Sequence, residues 1–297
     1  MNLLISGASG FVSNSIRSNI KNTSFVKKLG LVSTKKNSIF LKGDSGIEIY
    51  GLNDFFSKRF QISYDIYIHG MSEPRGSKER YSLNFINLKK SLQVCLKNNI
   101  KTFVYLSSGA VYKKKQSSFL ENDMTISLDD DGDISYGYAK VKEEYEVKTF
   151  CMKNNINFII LRLFSFAGHH MINRDEFAII DFFKSAIKNG SILVKSPYVI
   201  RSYMHENDLG QAIISILSNE KSINKCINIG SPDAISMKEL GLKISGITKA
   251  KLILEDSDFN DYYVPNINQQ KEFYKQKLKD INFIIRDLYS IFNEKFI

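Results

Sequence analysis

In the hexapeptide "SYGYAK", residues 135 to 140, a tyrosine stands four residues before a lysine. On a helix Tyr136 and Lys140 share one face about one turn apart, while Tyr138 points elsewhere. A lysine beside a phenol stabilises the phenolate and draws its pKa down from about 10, so the pair can give and take a proton. The alternative is two ordinary surface residues of a Lys-rich helix. A third group bears on the choice. The run "FVYLSS" ends in Ser107 and Ser108, and a serine hydroxyl at a strand end can orient a substrate oxygen. Ser108, Tyr136 and Lys140 together are acid–base equipment for redox chemistry at a carbinol or ketone.

Such groups converge only if the fold brings them to one edge. The apolar runs "NLLISG", "KLGLVS", "YDIYIHG", "TFVYLSS", "NFIILRLF" and "KCINIGS" read as strands, most of them followed by helix-length periodic stretches. Continuous apolar strands separated by helices imply a parallel sheet covered on both faces, an α/β doubly wound architecture. Its strands open at their carboxyl ends beside a ligand crevice, which is where Ser108 and a Tyr-Lys pair on the next helix would meet. After about residue 231 the alternation fades and Tyr, Asn and Lys become more frequent. No internal repeat, low-complexity linker or Pro-rich hinge is apparent.

The first strand runs into "SGASGFVSNSI", with Gly7 and Gly10 in the turn and Ser13 where a third glycine of GxxGxxG would fall. In a strand-turn-helix the first glycine permits the sharp turn, the second admits a pyrophosphate to the backbone, and the third allows close packing, which a serine nearly preserves. The second strand ends "GLVSTKK". An acidic residue there would favour the free ribose 2′-hydroxyl of NAD, but Ser33, Thr34, Lys35 and Lys36 offer hydroxyls and positive charge. This leans to NADP, with NAD as the alternative and solvated loop lysines as the bland reading.

A chain of 297 residues with 43% hydrophobic content can bury a sizeable core as one large domain or two smaller ones. No apolar run approaches the roughly 18 to 20 residues that span a bilayer, and "MNLLISGASGF" lacks a basic n-region and cleavage site, so a protein without a membrane partner is expected. Three cysteines, Cys95, Cys151 and Cys226, stand outside any CxxC spacing, suggesting no disulfide framework, no metal site and a reducing cytoplasm. The net charge of +10 could serve nucleic acid or an anionic small substrate. The lysines are interspersed with acids, as in "KVKEEYEVK", and no aromatic-basic platform accompanies them, so no nucleic-acid partner is expected.

With these motifs in order, the sequence resembles an extended short-chain dehydrogenase/reductase of the nucleotide-sugar epimerase, dehydratase and reductase group. The resemblance is carried by "SGASGFV", "YIHGMS", "SSGAVY", "YGYAK", "LRLF", "RSYMHENDL" and "INIGSPDAISMKEL", over about residues 1 to 240. It implies a Rossmann-type sheet over residues 1–165, a chain return to it at about 200–230, and a smaller C-terminal substrate-binding domain from 166–199 and 231–297. It implies Tyr136 as proton donor or acceptor, Lys140 as its partner and nicotinamide-ribose ligand, and Ser108 on the reacting sugar oxygen. Gly7, Ser9, Gly10, Phe11 and Val12 would approach the pyrophosphate, Gly70 and Met71 would line the cleft, and Asn84 would brace the strands beneath the cofactor. Ser165, His169 and Arg201 would face the substrate, Arg201 through bidentate contacts to its diphosphate.

Departures from the family pattern narrow the reaction. Sugar 4,6-dehydratases of the family carry Asp-Glu after the triad hydroxyl, whereas Gly109 and Ala110 stand here, so no carboxyl is available for loss of water. Ser165 replaces a frequent Asn, Lys113 a usual Gly, and a late arginine expected near "DYYVPN" is missing. Other residues have structural readings: His69 as a core hydrogen-bonder, His205 as a packing group and Asp129 to Asp133 as a solvated loop. His170 is either a surface neighbour of His169 or a phosphate or sugar contact, and Tyr262 and Tyr263 either pack on the sheet domain or stack on a base. The expectation placed first is an NADP-dependent reductase of a nucleotide-linked 4-keto-6-deoxyhexose for surface polysaccharide synthesis. An NAD-dependent 4-epimerase stands second, and a catalytically silent cofactor-binding protein third. The resemblance also implies a homodimer.

Overall fold

A computed structural model describes residues 1–20, 23–34, 47–72, 77–128 and 135–296. In chain order the first half runs β1 (Asn2–Ser6), α1 (Phe11–Ile20), β2 (Lys28–Ser33), β3 (Ile47–Gly51), α2 (Leu52–Phe55), β4 (Ile66–His69), α3 (Lys78–Lys97), β5 (Thr102–Ser108), α4 (Tyr136–Lys153) and β6 (Asn157–Leu163). The second half runs β7 (Phe166–Ala167), α5 (Ala178–Asn189), β8 (Ser191–Val194), β9 (Ile200–Ser202), β10 (Met204–His205), α6 (Glu206–Leu217) and β11 (Lys225–Ile229). It ends in β12 (Ala234–Ser236), α7 (Met237–Thr248), β13 (Lys251–Leu254), β14 (Tyr262–Tyr263), α8 (Asn268–Phe273) and α9 (Ile281–Phe296). Among the described residues no helix is long and apolar enough to cross a membrane.

Seven strands form one sheet in the order β11-β6-β5-β4-β1-β2-β3, and the six from β6 to β3 are mutually parallel. This is the doubly wound, Rossmann-type α/β fold that the apolar strands predict. All seven residues of β5 are buried, as a strand covered by helices on both faces requires. The chain leaves β1 toward β2 on one side and returns to β4 on the other. The carboxyl ends of β1 and β4 therefore flank the point where the strand order reverses, the place such sheets offer to a ligand. The sequence reading missed β3. It is a short edge strand with no fully buried residue, so it carries no apolar run.

One short sequence word recurs in the sheet unit. Cys95–Ile100 and Cys151–Ile156 both read C-x-K-N-N-I, and each ends a helix in the same way. The second asparagine takes a left-handed conformation, φ 53° at Asn99 and 54° at Asn155, which asparagine tolerates better than most side chains. The following isoleucine N–H then reaches back to the cysteine carbonyl at 3.0 Å in both cases. Each turn feeds directly into β5 or β6, so one local solution registers the two central strands. Cys95 and Cys151 both lie in the large core cluster, beside Phe103, Tyr105 and Ile160.

The chain divides into two compact units. The first comprises Met1–Lys113, Glu121–Leu163 and Gly210–Ile227, and the second comprises Lys114–Leu120, Phe164–Leu209 and Asn228–Ile297. The second unit is built from small sheets, β12-β9-β14, β10-β7 and β13-β8, with α5, α7 and α9 packed together. Stacked Phe183 and Phe292 rings, 5.4 Å apart, join α5 to α9. Helix α7 starts in a capping box: the Ser236 hydroxyl accepts from Glu239 N–H, and the Glu239 carboxylate accepts from Ser236 N–H. Such a cap is worth about 1 kcal/mol.

Candidate active site

The glycine turn has the conformation its sequence requires. Gly7 sits at φ +69°, and a Cβ there would lie 2.2 Å from the Gly70 carbonyl oxygen at the end of β4. Both the torsion and the close approach exclude a side chain. Gly10 N–H closes the turn on the Gly7 carbonyl at 2.8 Å, and Asn14 N–H then bonds the Gly10 carbonyl as α1 begins. Ser13 is 2% exposed, the packed position expected of a third glycine. No acidic residue stands in the first turn of α1, so its partial positive charge is not neutralised within that turn. These features fit the diphosphate of a dinucleotide.

The other residues assigned to a cofactor lie in the same unit. Phe11 and Val12 open α1, and Ser9 is exposed in the turn. Gly70 and Met71 follow β4, and Asn84 is buried on α3. Ser33 ends β2 and is buried, whereas Thr34 is exposed. Lys35, Lys36 and the acidic run Asp129 to Asp133 lie outside the described residues.

The three acid–base residues come from two adjoining elements. Ser108 ends β5 and caps the short helical turn Gly109–Val111, its Oγ accepting from Ala110 N–H at 3.2 Å. Tyr136 is the first residue of α4, whose N-cap Ser135 accepts from Tyr138 N–H at 3.1 Å. What brings them together is Gly137. A Cβ on it would lie 2.2 Å from the Ala110 carbonyl oxygen and 2.5 Å from Ile126 Cδ1. Only glycine lets α4 begin against the turn that follows Ser108. The Ser108 hydroxyl is thereby near enough to the Tyr136 phenol to favour its phenolate, and Lys140 Nζ lies 5.7 Å from that ring's centroid.

One expectation about this pair needs correction. Lys140 does pull the Tyr136 phenol downward, but burial pushes it up more strongly and the Glu143 carboxylate adds to that push. The net displacement in this structure is above the ordinary phenol value, because desolvation opposes phenolate. Lys140 itself is 1% exposed. Its ammonium donates to Tyr105 OH at 2.8 Å, Ser72 Oγ at 2.9 Å and the Leu106 carbonyl at 3.3 Å.

Sequence reading also missed two carboxylates. "KVKEEYEVK" reads as interspersed surface charge, yet Glu143 and Glu144 are each 3% exposed. They stand three and four residues after Lys140, on the same helical face, and that spacing was the available signal. Glu144 forms a bidentate pair with Arg162, Nε to Oε1 at 2.9 Å and Nη2 to Oε2 at 2.7 Å, and accepts from Ser107 Oγ at 2.6 Å. Arg162 Nη1 also donates to Tyr112 OH at 2.9 Å. This buried cluster ties α4, β5 and β6 together directly beside Ser108.

His69 is fully enclosed, with Nδ1 3.3 Å from Tyr67 OH, and burial followed by the Lys140 charge pushes it down to about 3. It is a neutral core residue, as the structural reading expects.

The residues assigned to substrate lie in the second unit. Ser165 is half-buried, and its carbonyl accepts from Met204 N–H at 3.1 Å. His169 is exposed, edge-on to His170. His170 is tied to Glu206, Nδ1 to Oε2 at 3.0 Å, and Gly168 leaves room for that carboxylate. Arg201 Nη2 bonds Asp261 Oδ2 at 2.7 Å and Nη1 bonds the Ile200 carbonyl at 2.8 Å. Asp261 thus holds the arginine expected to grip a diphosphate, a partner the sequence did not reveal. Tyr263 packs on Phe164 at 4.6 Å, and His205 bonds Asp287 at 3.2 Å.

Known proteins share this fold. An uncharacterized UDP-glucose epimerase, YtcB of Bacillus subtilis, is 25% identical over 176 residues, 59% of this chain and 54% of that relative, so the match spans about half of the relative's length. The solved UDP-glucuronic acid 4-epimerase of Bacillus cereus, in complex with UDP-glucuronic acid and NAD, superposes with a TM-score of 0.81 at 17% identity, covering 99% of each chain. The UDP-glucose 4-epimerase of Thermotoga maritima with UDP-glucose gives 0.80 at 17% identity over 100% of each chain. At that identity the two structures speak for the fold. The sequence model of the NAD dependent epimerase/dehydratase family matches residues 3–230, including the glycine turn, Ser108, Tyr136 and Lys140, and the chain belongs to that family of enzymes.

Proposed function

We propose that this protein is an NAD-dependent 4-epimerase of a nucleotide-diphosphate sugar, with UDP-hexoses or UDP-hexuronates as the substrate class. The observation that carries the proposal is the joint placement of Ser108, Tyr136 and Lys140 where β5 ends and α4 begins, in the unit that holds the glycine turn. When bound, the dinucleotide supplies a reversible hydride acceptor for C4. Tyr136 would take the proton of the C4 hydroxyl as C4 is oxidised to the ketone. After the ketone has turned its other face toward the cofactor, it would return a proton to the C4 oxygen as that carbon is reduced. Ser108 holds the sugar oxygen as its charge changes, and the Lys140 ammonium favours the phenolate that accepts the proton. Gly109 and Ala110 provide no carboxyl for elimination, which weighs against dehydration.

The sequence reading put net reduction by NADPH first. Epimerisation comes first because the Bacillus subtilis relative and the Bacillus cereus and Thermotoga maritima structures are named as epimerases, the family description names epimerases beside dehydratases, and the Bacillus cereus protein is in complex with NAD. The observation that keeps the reductase as a second reading is the end of β2, where Ser33 and Thr34 offer no carboxylate against a ribose 2′-phosphate. A homodimer through α3 and α4 is part of the proposal, supported by exposed Leu83, Ile86, Tyr145 and Met152 on those helices.

The test is to incubate the purified protein with NAD and either UDP-glucose or UDP-glucuronate and follow the sugar by proton NMR. Appearance of the C4-inverted sugar without net cofactor reduction is expected. Stoichiometric NADPH oxidation by a 4-keto nucleotide sugar, with no inversion of either UDP-sugar, would establish the reductase instead.

A further inference from the structure

The acid–base reading of Tyr136 uses Lys140 but gives no part to the carboxylate buried beside it. Glu143 Oε2 lies 3.2 Å from Lys140 Nζ, and the two side chains are 4% and 2% exposed. Tyr105, fully buried on β5, accepts from Lys140 and donates to Glu143 Oε2, so one hydroxyl bridges cation and anion. With Ser72 and the Leu106 carbonyl, the ammonium has protein acceptors for all three of its donors. Lys140 is therefore held in place by its own chain before any ligand arrives.

We infer that Glu143, supported by Tyr105, is a positioning residue that acts through the Lys140 ammonium by offsetting its charge and so sets the pH at which Tyr136 gives up its proton. The inference rests on the acid–base reading of Tyr136. Its physical basis is a balance of charges in a dry site. Lys140 alone would favour the phenolate strongly at this range. Glu143 cancels part of that field, and the buried pair acts on Tyr136 as a dipole rather than as a bare cation. The groups facing Lys140 are Tyr136, Glu143 and Glu144 from α4, Tyr105 from β5, His69 from β4 and Ser72 after it. Those facing Tyr136 are Lys140 and Glu143 from its own helix, Tyr81 from α3 and Ser108 from β5. The two glutamates are the only carboxyl groups among them, and Glu144 is already paired with Arg162. Glu143 is the one left to oppose Lys140.

The sign follows. Replacing Glu143 by a neutral residue removes a charge that disfavours phenolate, while Lys140 keeps Tyr105, Ser72 and the Leu106 carbonyl as acceptors. Tyr136 then ionises at lower pH. For a single charge within about 10 Å at an effective dielectric near 20, the displacement is about one pH unit, or about tenfold in the phenolate fraction below the transition.

The experiment is an NMR titration of the protein carrying 13Cζ-tyrosine, with the Tyr136 resonance assigned by its loss in Tyr136→Phe. Wild type, Glu143→Gln and Tyr105→Phe are compared, together with the pH profile for conversion of UDP-glucose in the presence of NAD. In Glu143→Gln the Tyr136 transition and the rising limb of the profile are expected to move down by about one unit. Tyr105→Phe, which removes a hydroxyl and no charge, should move them by less than half as much. A Glu143→Gln transition that stays in place or moves upward overturns the inference. If that variant folds poorly, Glu143→Met removes the same charge at similar volume and carries the same expectation. The titration needs no turnover, so it decides the matter even if UDP-glucose is not converted. A Tyr136→Phe protein of wild-type activity would defeat the acid–base reading itself, whereas an inactive Tyr136→Phe with an unmoved Glu143→Gln transition defeats the inference alone.

Discussion

Replacing Gly137 by alanine perturbs the site without removing any group that does chemistry. The new Cβ would stand 2.2 Å from the Ala110 carbonyl oxygen and 2.5 Å from Ile126 Cδ1. The isoleucine methyl can turn aside, but the carbonyl belongs to the backbone turn that carries Ser108. An ordinary carbon–oxygen contact of about 3.3 Å requires the first turn of α4 and that backbone to separate by roughly 1 Å. Overpacking of this kind costs about 1–3 kcal/mol, of which up to about 1 kcal/mol returns because alanine is the better helix former. A modest loss in urea midpoint is therefore expected. The effect on rate should be larger, since a displacement of about 1 Å between reacting groups costs on the order of 100-fold. The assay is kcat for UDP-glucose epimerisation, or for whichever UDP-sugar the protein converts, set beside a denaturation curve. A folded Gly137→Ala enzyme within threefold of the wild-type kcat would refute the view that this contact sets the Ser108–Tyr136 geometry.

Further outcomes follow from the same contacts. Tyr136→Phe should lower kcat by about 10²–10⁴-fold, the usual contribution of one general acid–base group, with KM nearly unchanged, as steady-state kinetics would show. Arg162→Met leaves Glu144 buried without its cation and should cost about 3–5 kcal/mol in chemical denaturation, against far less for Arg162→Met paired with Glu144→Leu. Gly7→Ala, strained at its φ and blocked by the Gly70 carbonyl, should abolish NAD binding measured by calorimetry. Asp261→Asn releases Arg201 from its carboxylate, and if Arg201 grips the diphosphate the KM for the UDP-sugar should fall several-fold with kcat unchanged.

Much of this was legible in the sequence because it depends on local spacing. The apolar runs marked β1, β2, β4, β5, β6 and β11, the GxxG word marked the first turn, and the four-residue interval separated Tyr136 from Tyr138. What escaped depends on what surrounds a residue. Charge alone made Glu143 and Glu144 look solvated, and only the strands packed against α4 show that they are enclosed with Lys140 and Arg162. The direction of the Tyr136 shift was misjudged for the same reason, since burial has no signature in the YxxxK interval. No local pattern marks Gly137, and its necessity appears only in the approach of α4 to Ala110. Asp261 lies 60 residues from Arg201, and no local pattern connects them.

The strand order also bears on how the chain emerges from the ribosome. β6 is complete at Leu163, but its outer neighbour β11 comes only at Lys225–Ile229, after two helices and four short strands of other structure. Until then an apolar, fully extended edge ending in "FIILRL" stands open to any strand it meets. Nascent chains stalled between these points should bind chaperones and self-associate, and the completed protein should lose that tendency once β11 has closed the edge.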